Sequence, residues 1–276
     1  MALGEGGLFA SIMEHVDELR VRVIRSLAAF FLMLALVILF GYQTVVVAGF
    51  TFAYPWPDPM NNLTIHMFQR WRVDLLPADV KVLNIGVGDL LIAQMQIGVL
   101  LATALALPMM VYQVSRFISP ALYRHEKDLA RRIILPALVL FIAGMVFCYY
   151  LVLPYTFEFL FQYTGVMGVD KTVAVTEFVD FVVLFMLVFG FIFDIPVFMA
   201  GLTWAGVVRA ETWKGGWRWA LVGSVLVGAF ITPDGSGVTQ MIVAIPMILL
   251  YAAGYGVSRA IERGKQKNAQ KAGQAA

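Results

Sequence analysis

FVVLFMLVFGFIFDIPVFMAGLTWAGVV, residues 181–208, is a run of 28 residues in which only Asp194 carries charge. A membrane-spanning helix needs about 20 predominantly apolar residues, so this run is long enough to cross. An acid at membrane depth costs roughly 2.5 kcal/mol or more on insertion scales, and such residues face a cavity or a partner rather than lipid. The run therefore reads as a membrane span, with Asp194 turned toward something other than acyl chains.

The rest of the chain agrees. Its 276 residues are 61% hydrophobic and 14% charged, with a mean hydropathy of +0.81, whereas a soluble domain is about 25% charged. This is the composition of an integral membrane protein with almost no room for a soluble domain. Cys148 is the single cysteine, so no intramolecular disulfide forms. The first 25 residues carry Glu14, Asp17 and Glu18 and lead into a long apolar run without a small-residue cleavage site. They are read as a retained N-terminus rather than a signal peptide.

Charge-free stretches place six spans at about 24–48, 88–113, 132–155, 177–204, 217–231 and 238–257. The lysines and arginines divide unevenly across the resulting loops. Sixteen lie before span one, after spans two and four, and in the tail, against Arg70, Arg72, Lys81 and Lys171 on the other side. The positive-inside rule then puts both termini in the cytoplasm. Spans five and six are short. Trp219–Ile231 makes only about 20 Å of helix against a hydrocarbon core of about 30 Å. Pro108, Pro136, Pro196 and Pro246 fall inside apolar runs and predict kinked helices. The first outer loop, about 49–84, is rich in aromatics and reads as a structured cap. Its sequon Asn62-Leu-Thr is read as unmodified. The basic tail 261–276 is polar and is expected to be disordered.

Chemistry is sparse. The chain has no phosphate-binding Gly-x-x-x-x-Gly-Lys-Ser/Thr loop. His15, His66 and His125 are scattered without metal-ligand spacing. No catalytic residue, metal site or cofactor is expected, and an enzyme reading has little support. What remains is acidic. Leu8, Ile12, Val16, Leu19 and Val23 share one helical face, giving an amphipathic helix over 8–22 at the membrane surface. Glu18 flanks that stripe, and a plain i,i+4 pair with Arg22 would account for it. Ser119-Pro120 starts a second helix with a side-chain cap and a proline in the first turn. Glu126 and Asp128 follow among cations, where local charge balance would account for them. Carboxylates recognise guanidinium groups through paired, charge-assisted hydrogen bonds. Inner acids beside an apolar groove would therefore suit a short arginine-containing peptide.

Four motifs in order resemble the TatC family, the polytopic subunit of the twin-arginine protein translocase, over about residues 10–260. They are His15-Val-Asp-Glu-Leu-Arg-Val-Arg22; Pro108-Met-Met-Val-Tyr-Gln-Val114 with Phe117-Ile-Ser-Pro-Ala-Leu-Tyr-Arg-His-Glu126; Phe189-Gly-Phe-Ile-Phe-Asp-Ile-Pro196; and Ile231-Thr-Pro-Asp234 with Thr239-Gln240 and Ala244-Ile-Pro-Met-Ile-Leu-Leu-Tyr251. The resemblance implies a concave, glove-like, all-α bundle in the cell membrane. It also implies a receptor for folded precursors bearing paired arginines, with export driven by the proton-motive force. Glu18 and Glu126 would contact the signal arginines, supported by His15, Leu19, Arg20, Tyr112, Gln113, Phe117 and Pro120. Asp194, with Pro196, would line the intramembrane groove where relatives carry Glu or Gln. Thr232, Pro233, Asp234 and Gln240 would form the hairpin between the last two spans.

The implied partners are single-span TatA-type subunits, TatB-type subunits where these exist, the signal peptides, membrane lipid and further copies of the chain; nucleic acid is not among them. Two departures stand out. Ser115 replaces the family's Trp after Tyr112-Gln-Val, which puts the role of that aromatic in doubt. Thr232-Pro-Asp-Gly-Ser-Gly237 replaces Thr-Pro-Pro-Asp, a variant that looks archaeal. The competing readings are a secondary transporter using Asp194 as a proton or cation site, and a scaffold. The absence of visible repeat symmetry and of broken helices speaks against the transporter.

Overall fold

The computed structural model describes residues 5–47, 50–118, 127–232 and 237–274. It is mostly helical. Five helical stretches are long and apolar enough to cross a membrane: Val16–Leu39, Asp89–Val114, Ile133–Val166, Val175–Ala205 and Gly237–Lys267. Trp217–Ile231 is apolar but shorter, as its sequence predicts.

The first helix, α1, runs unbroken over Glu5–Leu39, so the amphipathic segment and the first span are one element. It stops at Leu39, short of the expected residue 48. Two paired strands follow, β1 (Phe40–Val47) and β2 (Phe50–Pro57), in register from Phe40↔Pro57 to Val47↔Phe50. The expectation of a purely α-helical chain is corrected here. Thr44-Val-Val-Val47 and Phe50-Thr-Phe52 are β-branched and aromatic, and such residues pack better on a pleated surface than on a helix.

Helix α2 (Leu63–Leu75) is locked to the end of α1 by its cap residue. The Asn62 Oδ1 accepts from the Ile65 N–H at 3.2 Å and from the Thr64 hydroxyl at 2.6 Å. Its Nδ2 donates to the Ile38 carbonyl at 2.8 Å and the Pro59 carbonyl at 3.2 Å. Asn62 and Thr64 are fully buried. The sequon asparagine is thus a structural staple whose amide is already committed.

Strand β3 (Lys81–Leu83) pairs in parallel with β4 (Thr172–Ala174), closing the same end of the molecule. Between them run α3 (Asp89–Ile118), α4 (Lys127–Phe147), a π-helical turn (Cys148–Val152) and α5 (Leu153–Val166). After β4 come α6 (Val175–Phe193), α7 (Ile195–Ala205), α8 (Ala210–Gly215), α9 (Trp217–Ile231) and α10 (Gly237–Gln274). α1 packs on α3, α4 on α6, and α10 on α7 and α9. In lipid such packing depends on close approach rather than on exclusion of water. Gly144 on α4 shows the principle, because a Cβ there would lie 2.4 Å from the Phe189 carbonyl oxygen on α6.

The tail also departs from expectation. Residues 261–274 continue α10 as helix. They consist largely of good helix formers and contain no proline, so they extend the helix already nucleated by the last span. Two tethers hold the first part of this extension. The Glu262 carboxylate accepts from the Ala210 N–H at 3.2 Å. Lys265 donates to the Trp204 carbonyl and sits 5.6 Å over that indole ring.

Candidate functional site: carboxylates at one end and inside the bundle

α3 returns along α1, with Gly98 against Leu34 and Ile38. From that contact Glu18 lies 20 residues back along α1, and Phe117 19 residues on along α3. At 1.5 Å per residue both are about 30 Å away, at the same end of the helix pair. The packing thus brings Glu18, Leu19 and Arg20 to the level of Tyr112, Gln113 and Phe117. Glu18 is half-buried and pairs with Arg22, whose Nε donates to Oε1 at 3.1 Å and whose Nη2 closes the ion pair. Leu19 and Arg20 are exposed. On α3, Arg116 donates to the Tyr112 hydroxyl at 3.3 Å and lies 5.8 Å from its ring centroid. Gln113 is buried and reaches the Met109 sulfur at 3.9 Å. Glu126 and Pro120 lie outside the described residues, as does the side chain of His15.

Asp194 interrupts the fourth apolar stretch. Its backbone, at φ −79° and ψ −11°, is flatter than an ideal helix and joins α6 to α7. The cause is Pro196, which has no N–H to give to the carbonyl of Ile192 four residues earlier. The Asp194 N–H turns to the Phe191 carbonyl at 3.1 Å, and the Phe198 N–H restarts the ladder on the Asp194 carbonyl at 2.9 Å. The sequence suggested a kink but not this interruption. Asp194 lies 19 residues from Val175, about 28 Å along the helix. Its Oδ1 is buried without a hydrogen-bond partner among the described residues. Pro196 is buried.

A groove of about 340 Å³ opens among α2, α4, the π-helical turn and α6, lined by Met67, Arg70, Trp71, Asp74, Met145 and Tyr149 among others. Asp194 is not among its lining residues. Asp74 accepts from Arg70 Nε at 2.9 Å and from the Tyr149 hydroxyl at 2.7 Å. A second polar contact joins Gln96 on α3 to Asp180 on α6. Sequence reading passed over both. Gln96, a polar residue within the charge-free run 90–115, was the signal available for one. Tyr149 gave none, because its partner is 75 residues away.

At the α9–α10 hairpin, the buried Thr232 hydroxyl donates to the Gly228 carbonyl at 2.9 Å. Gln240 Nε2 donates across to the Val225 carbonyl at 2.8 Å. Gly228 permits this crossing, since a Cβ there would lie 2.9 Å from the Gln240 carbonyl. Pro233 and Asp234 lie outside the described residues. No cluster of metal-ligating side chains occurs among the described residues.

Comparison with known proteins bears on this arrangement. A family model described as Sec-independent protein translocase protein (TatC) matches residues 14–246. A relative from Cenarchaeum symbiosum (strain A), named Sec-independent protein translocase protein TatC, is 37% identical over 256 residues, covering 93% of this chain and 97% of its own. A relative of the same name from Synechocystis is 30% identical over 249 residues, covering 90% and 88%. A crystal structure described as the twin arginine translocase receptor TatC superposes with a TM-score of 0.73 at 26% identity, covering 90% of this chain and 99% of that one.

Proposed function

The chain belongs to the TatC family of Sec-independent protein translocase proteins, and from that premise we propose that it is a signal-peptide receptor and core subunit of a translocase exporting folded precursors. It sits in the cell membrane with six spans and both termini in the cytoplasm. Transport draws on the proton-motive force, with TatA-type single-span subunits as partners and TatB-type subunits where they exist. Glu18 and Glu126 take the paired arginines of the signal, and Asp194 is a polar docking point inside the membrane.

The supporting observation is the Glu18–Arg22 pair. Glu18 already holds a guanidinium, on a helix that packs on α3. A helix i,i+4 pair is worth only about 0.2–0.5 kcal/mol, so an incoming arginine displaces Arg22 at little cost. The test is the affinity of a twin-arginine signal peptide for the protein in lipid discs. Glu18→Ala and Glu126→Ala each lower it roughly tenfold to a hundredfold, as expected for a charge-assisted hydrogen bond of about 1.5–3 kcal/mol. Unchanged affinity in both variants refutes the assignment. A peptide with paired lysines binds more weakly than the arginine form, because an ammonium lacks the planar fork.

The interrupted helix at Asp194 is the one feature that favours a secondary transporter. Asp194→Asn separates the readings. Asparagine keeps a polar docking point, so export continues, whereas a proton site would be lost.

A further inference from the structure

The groove among α2, α4 and α6 can be placed in depth from the helices that form it. α4 and α6 cross where Gly144 meets the Phe189 carbonyl. Gly144 lies 12 residues beyond Arg132, the last charge before the apolar run of α4, and Phe189 lies nine beyond Asp180, the last charge before that of α6. These are about 18 Å and about 14 Å of helix, together close to a hydrocarbon core of about 30 Å. The crossing therefore falls near mid-membrane, with Arg132 and Asp180 toward opposite surfaces. Tyr149 is five residues past Gly144, about 8 Å nearer the surface that holds Asp180. The groove occupies this half. Along α4 it is open, because Ile142, Val146 and Tyr150 stand exposed at four-residue intervals on one helix face.

Arg70 stands at the lip. Its Nε is fixed on Asp74 at 2.9 Å, and Asp74 is held in turn by the Tyr149 hydroxyl at 2.7 Å. The Arg70 side chain is nevertheless 76% exposed, so most of the guanidinium is open to a ligand. Met67 and Arg70 also border a second cavity of about 460 Å³, lined by α2 alone and carrying His66 and Gln69. The cation thus separates an apolar groove from a cavity with polar side chains, an order that matches an amphiphile. We propose that the groove is a phospholipid site. One acyl chain lies along Ile142, Met145, Val146 and Met186, the phosphodiester accepts from the Arg70 guanidinium, and the rest of the headgroup takes the second cavity. The guanidinium fork suits phosphate oxygens, and basic pockets beside membrane spans hold lipid headgroups. The volume suits a single chain, since a helix about 10 Å across would fill about 340 Å³ in less than one turn. The inference is independent of the signal-peptide reading.

Titrating the full chain in a non-ionic detergent with phosphatidylglycerol, and counting retained lipid by native mass spectrometry, tests it. Arg70→Gln should weaken retention roughly tenfold, as loss of a charge-assisted hydrogen bond does. Arg72→Gln, at an exposed position on the same helix, should leave it unchanged. Diacylglycerol with the same chains lacks the phosphate and should bind the unaltered chain roughly tenfold more weakly than phosphatidylglycerol does. Val146→Trp fills the groove from an exposed position and should lower retention without lowering the melting temperature. In native membranes, a phosphatidylglycerol with a photoreactive acyl chain should label residues 142–150. Equal retention by Arg70→Gln and the unaltered chain, equal binding of the two lipids, or labelling confined to other segments each overturns the proposal.

Discussion

At Glu18 the bland and the functional readings describe one geometry. The sequence offered an i,i+4 pair with Arg22, and that pair is formed. On the proposed receptor role, Arg22 is an internal competitor for Glu18. Arg22→Ala should tighten twin-arginine peptide binding about twofold, the return on releasing a pair worth about 0.2–0.5 kcal/mol; weaker binding would show that Arg22 supports the site instead. Asn62 carries more energy. Asn62→Ala removes a helix cap and two donated hydrogen bonds, and should cost roughly 2–4 kcal/mol of stability in a thermal melt. Mass analysis should find Asn62 unglycosylated. The sequon was legible, but its burial was not, since Ile38 is 24 residues away. Lys171 donates to Asp79 at 2.7 Å and holds its carboxyl below the ordinary value of 3.8. A depressed carboxylate pKa contributes stability above that ordinary value and loses it as pH falls. Amide protection at the β3–β4 pairing, corrected for the intrinsic exchange rate, should therefore fall on acidification, and Asp79→Asn should remove that fall.

Among elements, the apolar helices could be read from the sequence because each is built around a run with few or no charged residues. Their ends depended on things a hydropathy count does not register. α1 ends early because β-branched and aromatic residues from Phe40 onward find a partner strand. The tail stays helical because Glu262 and Lys265 reach back to Ala210 and Trp204. Truncation after Ala260 should loosen the α7–α8 connection, seen as faster amide exchange at Ala210; unchanged exchange there would show that the tethers are idle. The α4–α6 crossing is tighter than any pattern could reveal. Gly144→Ala forces a Cβ toward the Phe189 carbonyl and should destabilise the protein by about 1–3 kcal/mol.

For the whole molecule, membership of the TatC family was legible because the four motifs stand in order along the chain, and the family match over residues 14–246 agrees. The proposed signal-binding residues rest chiefly on that resemblance. Glu18 and Glu126 are 108 positions apart, and neither composition nor periodicity links them. α1, which carries Glu18, packs on α3. The proposed receptor role therefore stands on contact between these two positions and the arginines of one signal. The most direct test places a photo-crosslinker at Glu18 and, separately, at Glu126 while a twin-arginine precursor is engaged in native membranes. Both positions should crosslink to the signal region, and both adducts should fade when the arginine pair becomes lysine. Absence of adducts at both positions, or adducts indifferent to that exchange, would contradict the account.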